Sequence, residues 1–118
     1  MRDHTKLRAF ELAENLALDV YGVTRRFPSE ELFGLTSQMR RAAVSIGSNI
    51  VEGCARESRS DYVRFLDIAF GSLRELEYQA SLAHRLGYLS DYESLEGLMT
   101  ETSKVLAALI RSLRSPKT

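Results

Sequence analysis

Apolar residues recur along this chain at steps of three and four residues in four separate segments, and no segment alternates like a β-strand. Steps of three and four place residues on one face of an α-helix. The pattern therefore predicts four helices, at about residues 7–27, 36–54, 60–86 and 91–113. The last segment is the most regular, with Tyr92, Leu95, Met99, Thr102, Leu106, Leu109 and Leu113 in one stripe.

Residues that start and stop helices stand between these segments. Pro28 ends the first helix, and Gly53 and Gly87 lie near the ends of the second and third. The connection PSEELFG is expected to be tight, partly helical and packed through Phe33. The candidate N-caps are Thr36 or Ser37 for the second helix, Ser58 with Asp61 for the third and Ser90 with Glu93 for the fourth.

Short connections between long helices favour antiparallel neighbours. We therefore predict an all-α protein, an antiparallel up-down-up-down four-helix bundle, as one domain over residues 1–118. Two helices carry apolar residues away from their main stripe, which predicts a second packing partner and hence a homo-oligomer. These residues are Leu12, Leu16 and Val23 in the first helix and Val44, Gly47, Val51 and Ala55 in the second.

A narrow polar stripe runs along the second helix, beside its apolar face. It carries short side chains where a solvated face usually carries Lys and Glu, so we interpret it as a contact surface; the competing interpretation is an ordinary solvated face. Together with a matching edge of the third helix it predicts an internal hydrogen-bond network or interface. The motif comprises Gln38, Arg41, Ser45, Asn49, Glu52 and Gly53 on the second helix and Ser72, Glu75 and Gln79 on the third. Glu52 and Glu75 are each expected to pair with an arginine, Arg41, Arg56 or Arg64.

The sequence contains none of the residue patterns that are typical of enzyme active sites. There is no Glu-x-x-His pair, glycine-rich phosphate loop or serine–histidine–acid set, so no catalytic residue, metal or cofactor is predicted. The one cysteine, Cys54, is expected to be a core residue. No apolar run is long enough to cross a bilayer and the N-terminus has no signal-peptide core, so we expect a cytoplasmic protein without a membrane partner.

The formal net charge is zero, from 16 basic and 16 acidic residues, so the molecule has no global bias towards nucleic acid. Local basic patches are still possible, although arginines near helix C-termini also occur for dipole reasons. The candidates for nucleic-acid contact are Arg25, Arg26, Arg40, Arg56, Arg59, Arg64, Arg111, Arg114 and Lys117.

Two motifs, SI-x-x-NI-x-EG at residues 45–53 and GS-x-x-EL at residues 71–76, carry a resemblance to a known family. Further matching positions are Phe27, Pro28, Glu31, Gly34, Leu35, Thr36, Gln38, Arg41, Ala42, Phe65, Leu66, Ala69, Leu86, Gly87, Tyr88 and Leu89. Over nearly its whole length the chain resembles the bacterial four-helix-bundle family named for proteins encoded in intervening sequences of 23S ribosomal RNA genes.

The resemblance implies a homo-oligomer, often a pentameric ring, without an established catalytic function. The accessory proteins of diversity-generating retroelements, which bind a reverse transcriptase and nucleic acid, are also similar, but they are strongly basic and this chain is neutral. The leading hypothesis is a non-enzymatic homo-oligomeric scaffold or adaptor whose partner is RNA or a ribonucleoprotein. The alternative is a small-ligand-binding protein or enzyme with a polar pocket at the subunit interface, built on Glu52, Glu75 and Asn49.

Overall fold

The computed structural model describes residues 2–115 and consists of four long helices. These are α1 (Arg8–Thr24), α2 (Leu35–Cys54), α3 (Arg59–Arg85) and α4 (Tyr92–Arg114), with short 3-10 turns at His4–Lys6 and Ser29–Glu31. Residues 2–115 contain no strand, so the predicted all-α class is confirmed. The largest boundary difference is at the end of α1, which stops at Thr24 because the chain turns before Phe27 and Pro28.

The helices form a square. Each helix packs directly against the next along the chain and α1 against α4, whereas the diagonal pairs, α1 with α3 and α2 with α4, have no Cα atoms within 8 Å of each other. Neighbouring helices run antiparallel, as the predicted up-down-up-down bundle requires. The Cα positions span 51 × 23 × 20 Å, so the molecule is a rod with two distinct ends.

All four helices contribute to one core of fully buried side chains. Leu12 and Leu16, which the sequence placed off the main stripe of α1, are part of this core. That expectation was wrong because α1 lies between α2 and α4 and therefore buries a wider stripe than one neighbour would cover. Other buried members include Val20, Met39, Ile46, Ile50, Leu66, Leu73, Leu76, Leu95, Met99 and Leu106. Each such side chain contributes roughly 1.5–3 kcal/mol of hydrophobic stabilisation.

The helix termini confirm two of the predicted signals. Ser58 caps α3, with its Oγ accepting a hydrogen bond from the Asp61 amide at 3.1 Å. Gly87 follows α3 with a φ of +84°, and the Tyr88 amide donates to the carbonyl of Ala83 at 3.0 Å. This is the Schellman geometry, which favours glycine because a Cβ strains the left-handed backbone.

The other two caps differ from the prediction. The amide of Leu35, at the start of α2, donates to Oε1 of Glu31 at 3.1 Å, so neither Thr36 nor Ser37 is the cap. Asp91, not Ser90, caps α4 by accepting from the Ser94 amide at 3.2 Å. In both places a carboxylate satisfies the free amide, and an anion is favoured at a helix N-terminus.

The connection between α1 and α2 also departs from the expectation, since Phe33 is 94% exposed. The connection is instead anchored through Glu31, whose Oε2 accepts a hydrogen bond from Tyr88 Oη at 3.0 Å. The Tyr88 ring packs on Phe27 with centroids 5.4 Å apart. Phe33 is left on the surface. Among the described helices, none is both long and apolar enough to cross a membrane.

Candidate functional site

The seam between α2 and α3 is where the two halves of the polar motif meet. Ser45 Oγ and Ser72 Oγ are 2.8 Å apart and share a hydrogen bond. Asn49 Nδ2 donates to the backbone oxygen of Ser45 at 2.8 Å and to its Oγ at 3.0 Å. All three residues are half-buried. They form a hydrogen-bonded cluster between the helices, as the short side chains of the stripe predicted.

Beside this cluster a shallow polar groove of about 330 Å³ opens to solvent. Arg41 and Glu75 stand in its walls, both exposed, and neither forms a salt bridge to any residue of the described chain. The pairing of Glu75 with an arginine is therefore absent. The groove carries one free charge of each sign, and its lining residues are Gln38, Arg41, Ala42, Ser45, Ser72 and Glu75.

Gln79 lies on the same edge of α3 as Ser72 and Glu75, one turn further along. It is only 4% exposed, and its Oε1 is fully buried without a hydrogen-bond partner among residues 2–115. Burying an unpaired amide oxygen costs roughly 1–3 kcal/mol. Gln79 is thus a polar group in the core next to the groove, without the network that the sequence predicted for it.

Glu52 and Gly53 lie at the opposite end of the seam. Antiparallel packing brings the end of α2 against the start of α3, and a Cβ built on Gly53 would lie 3.0 Å from the Cβ of Phe65. Glu52 is exposed and its carboxylate is 3.8 Å from the guanidinium of Arg56, one turn along α2. The motif was expected to bring Glu52 and Glu75 together in one network or pocket. This expectation was wrong, because the antiparallel order of α2 and α3 places these two residues several turns apart.

The candidate arginines separate into two groups at the two ends of the rod. Arg25, Arg26 and Arg40 lie where α1 ends and α2 begins. Arg40 is held in the structure, since its Nε donates to Thr24 Oγ1 at 2.9 Å and its guanidinium lies 4.7 Å from the Tyr21 ring centroid. Lys117 falls outside the described residues. At the other end, where α2 and α4 finish and α3 starts, lie Arg56, Arg59, Arg64, Arg111 and Arg114.

At this second end the arginines are interleaved with aromatic rings. Arg56 and Arg64 both contact Phe65, with guanidinium carbons 4.8 and 4.7 Å from the ring centroid. Arg2 lies 4.2 Å above the ring of Tyr62 and donates to the carbonyl of Arg56 at 2.6 Å. We call Arg2, Arg56, Arg59, Arg64 and Arg111 the basic end.

Sequence reasoning missed Arg2, Tyr62 and Phe65 as members of this surface. Tyr62 lies one turn after Arg59 and Phe65 directly follows Arg64, and this spacing was the available signal for part of the surface. Acidic residues neutralise some of the charge: Arg56 pairs with Glu52, Arg64 with Asp61 at 3.7 Å, and Arg114 with Asp67. Arg59 and Arg111 have no carboxylate within 4.0 Å in the described part of the chain.

Cys54 and Tyr62 are buried beneath the basic end, 1% and 3% exposed, with Sγ and Oη 4.0 Å apart. Burial raises the pKa of Tyr62 to about 12 and also raises the pKa of the Cys54 thiol. Both groups are therefore neutral at physiological pH, and a neutral thiol is a poor nucleophile. Cys54 is a core residue, as predicted. In residues 2–115 no group of three or more His, Cys, Asp or Glu side chains is placed to hold a metal ion.

Large exposed apolar side chains are distributed unevenly around the bundle. None of them belongs to α4, all of whose residues are described, so α4 presents an ordinary solvated face. On α2, a Cβ built on Gly47 would lie 4.0 Å from the Cβ of Ala13, so α1 covers part of the predicted second apolar side, while Val44 is exposed. The exposed set is Leu18, Tyr21, Leu32, Phe33, Val44, Ile68, Tyr78, Leu82 and Leu86.

Comparison with known proteins shows the family of the chain and solved structures with a similar fold. Residues 5–108 match the family model described as 23S rRNA-intervening sequence protein. The fold is similar to the crystal structure of a protein of unknown function from the S23 ribosomal protein family of Bacteroides thetaiotaomicron. The two chains are 29% identical, the match covers 87% of this chain and 95% of the other, and the TM-score is 0.80. No curated protein shows significant similarity to the chain.

Proposed function

The chain belongs to the 23S rRNA-intervening sequence protein family, and on this premise we propose that it is a non-enzymatic homo-oligomeric scaffold that binds RNA through the basic end. The observation that carries the proposal is the convergence of arginines from the N-terminal segment, α2–α3 and α4 on one end of the rod, around the rings of Tyr62 and Phe65.

The chemistry of the basic end fits a polyanion with exposed bases. Guanidinium groups bind phosphate oxygens in a bidentate manner, and the guanidinium planes, held in place by the rings beneath them, offer stacking surfaces for unpaired RNA bases. Arg59 and Arg111 have their charge free for phosphate, since no carboxylate of the described residues neutralises them. One such end is a weak site on a molecule with a net charge of zero. Repetition of the site by symmetry in an oligomer multiplies the attraction.

Self-association is supported by the uneven apolar surface. Large apolar side chains such as Leu18 and Tyr78 are exposed on α1, α2 and α3, and none is exposed on α4. Exposed apolar patches of this kind usually mark interfaces. We propose a pentamer, the number that the family resemblance implies. Light scattering coupled to size-exclusion chromatography at micromolar concentration tests this part: a stable oligomer supports it, and a monomer contradicts it.

RNA binding is tested by fluorescence anisotropy with a labelled RNA hairpin at low and physiological salt. We expect binding that weakens steeply with salt, because phosphate contacts release counterions. The double variant Arg59→Gln/Arg111→Gln should bind roughly tenfold or more weakly with a shallower salt dependence. Arg25→Gln/Arg26→Gln removes the same charge at the other end and is the matched control. No binding by the wild type at low salt, or equal losses in both variants, would contradict the proposal.

A second function, binding of a small polar ligand in the α2–α3 groove, is favoured by one specific observation. The groove holds Arg41 and Glu75, which form no salt bridge in the described chain, together with the amide of Gln38 and the hydroxyls of Ser45 and Ser72. The guanidinium of Arg41 could bind the carboxylate of a zwitterion such as a free amino acid, and the carboxylate of Glu75 could bind its ammonium group. A thermal-shift screen of the amino acids tests this: a ligand that raises the melting temperature of the wild type but not of Glu75→Gln supports it, and no shift argues against it.

A further inference from the structure

The ring of Phe65 at the basic end contacts two guanidinium groups from different parts of the chain. Arg56, in the connection between α2 and α3, has its guanidinium carbon over the ring at 4.8 Å from the centroid. Arg64, on α3, has its guanidinium carbon at 4.7 Å. A guanidinium group at this distance is attracted to the face of the ring and stacks on it. Phe65 therefore holds two planar cations in place.

The outer sides of these two planes are open to solvent. The side chains of Arg56 and Arg64 are 46% and 60% exposed. A guanidinium plane that rests on a ring with one side and faces water with the other offers a surface on which an unpaired base can stack. Because the ring already restrains each arginine, little side-chain freedom remains to be lost when a base binds.

Arg2 adds a third plane and restrains the backbone beside the other two. Its guanidinium carbon lies over the Tyr62 ring at 4.2 Å from the centroid, and its Nη1 donates to the carbonyl of Arg56 at 2.6 Å. Tyr62 is only 3% exposed, so a base can reach Arg2 but not the ring beneath it. Tyr62 and Phe65 are three residues apart on α3, so the two stacks are neighbours on one side of the helix.

The positive charges at the basic end are divided between stacked and unstacked arginines. The two arginines on Phe65 each have a carboxylate neighbour, at 3.8 Å for Arg56 and 3.7 Å for Arg64, which offsets their charge. Arg59 and Arg111 have no carboxylate within 4.0 Å among residues 2–115. The unstacked arginines therefore suit phosphate groups, and the stacked planes suit bases.

This division predicts a preference for one form of RNA. Arg59 precedes Phe65 by six residues on α3, which is about 9 Å along the helix axis. A nucleic-acid strand advances about 3.4 Å per nucleotide, so roughly three nucleotides cover this distance. In an A-form duplex the faces of the bases are stacked inside the helix, and the grooves display only base edges and sugar hydroxyls. A duplex can use only the phosphate-binding arginines, whereas an unpaired strand can use these and the stacked planes.

We propose that Phe65 is the specificity-determining residue of the basic end. It positions the guanidinium planes of Arg56 and Arg64 for unpaired bases, so that the site selects single-stranded over double-stranded RNA. Phe65 has no charge and acts through the two arginines, which makes it a positioning residue. The inference rests on the RNA binding of the proposed function and adds which form of RNA is bound.

Fluorescence anisotropy with matched labelled probes tests the preference. The probes are a short unstructured RNA strand, the blunt-ended duplex of the same sequence, and an abasic strand of the same length. We expect the wild type to bind the RNA strand roughly tenfold more tightly than the abasic strand, because stacking requires bases. The duplex should also bind more weakly than the RNA strand, although it carries more phosphate charge.

Phe65→Leu removes the ring while keeping an apolar side chain and every charge of the protein. We expect it to weaken single-strand binding roughly tenfold and to leave duplex binding and its salt dependence unchanged, because the number of phosphate contacts is the same. Phe70→Leu is the matched control. Phe70 is a half-buried ring of the same helix, and the guanidinium that it holds, that of Arg74 at 4.8 Å, does not belong to the basic end.

Arg56→Lys/Arg64→Lys tests the same point without altering the packing of Phe65, and so does not depend on Phe65→Leu folding. Lysine keeps the positive charge but has no plane on which a base can stack. We expect the same selective loss of single-strand binding with an unchanged circular dichroism spectrum, and no loss in the control Arg74→Lys.

The failure of this inference is distinguishable from the failure of the proposed function. A wild type that binds none of the probes contradicts both. Equal binding of the RNA strand and the abasic strand, a wild type that prefers the duplex, or equal losses of single-strand and duplex binding in Arg56→Lys/Arg64→Lys would mean that phosphate contacts alone account for the affinity. Each of these three results overturns the role of Phe65 while RNA binding stands.

Discussion

Ser45 Oγ on α2 and Ser72 Oγ on α3 share a hydrogen bond of 2.8 Å, and this is the polar contact that fixes the height of one helix against the other. Sliding α2 by one turn would separate the two hydroxyls and leave half-buried polar groups unpaired. A contact of this type specifies register more than it adds stability. The positions of the groove and of Gln79 along the seam follow from this register.

We expect Ser45→Ala and Ser72→Ala each to lower the free energy of unfolding by roughly 0.5–1.5 kcal/mol, because each removes the same hydrogen bond. The double variant should lose little more than either single variant. Urea denaturation measures all three, with Ser48→Ala, an exposed serine of α2, as a near-neutral control. Additive losses would show that the two hydroxyls act independently.

Gly53 and Gly97 should respond in opposite directions to alanine. A Cβ at Gly53 would lie 3.0 Å from Phe65 Cβ and 3.3 Å from the carbonyl of Tyr62, so Gly53→Ala must displace α3 and should destabilise the bundle by roughly 1–3 kcal/mol. Gly97→Ala meets nothing and should stabilise by up to roughly 1 kcal/mol through helix propensity. Thermal unfolding of both variants checks the contrast, and stabilisation by Gly53→Ala would contradict the close packing of α2 on α3.

The buried hydroxyl of Tyr62 should make the protein sensitive to alkali. Its folded-state pKa of about 12 is above the ordinary value of 10.0, chiefly because burial disfavours the phenolate. The unfolded chain therefore loses this proton first, and stability that is fully present below pH 10 is lost progressively between pH 10 and 12, by up to roughly 3 kcal/mol. Urea unfolding across this range measures the loss.

Tyr62→Phe should remove that loss of stability and reduce the amplitude of the late part of the tyrosinate absorbance titration by one tyrosine. A wild-type titration in which every tyrosine ionises near pH 10 would contradict the burial of the Tyr62 hydroxyl.

Replacing Gln79 by methionine should stabilise the bundle by roughly 1–2 kcal/mol, because it removes a buried amide oxygen that has no partner in the described chain. The volumes are similar, so little repacking is needed. Gln38→Met, on the exposed side of the groove, is the control and should have little effect. Destabilisation by Gln79→Met would indicate that the amide has a partner in the oligomer or in a ligand.

Local signals were sufficient where one segment decides its own structure. The Ser58 cap and the Gly87 terminus were predictable because their hydrogen bonds involve residues within five positions along the chain. The α2 and α4 caps failed because several acceptors competed for the same amides. Glu31 and Asp91 offer carboxylate oxygens as caps. The spacing used to predict a Ser or Thr cap does not decide between such a carboxylate and a nearby hydroxyl.

The candidate site was only partly predictable for a different reason. The periodic stripe correctly placed Ser45, Asn49 and Ser72 at one seam, since helical spacing determines which residues share a face. It could not place Glu52, Glu75 and Gln79 relative to one another, because that depends on the direction and register of two helices. The contact of Arg2 with the Tyr62 ring joins the N-terminal segment to α3. It could not be predicted from a local pattern, because the two residues are far apart in the sequence.

The sequence by itself determined the four helices, their amphipathic faces and the antiparallel order of the bundle, because these follow from periodicity and short connections. Only the tertiary structure decided which polar groups meet, which arginines share an end and which apolar groups are left outside. These outcomes depend on competition for space between distant residues. The connection between α1 and α2 packs Phe27 on Tyr88 and binds Tyr88 through Glu31, while Phe33 in the same connection is exposed.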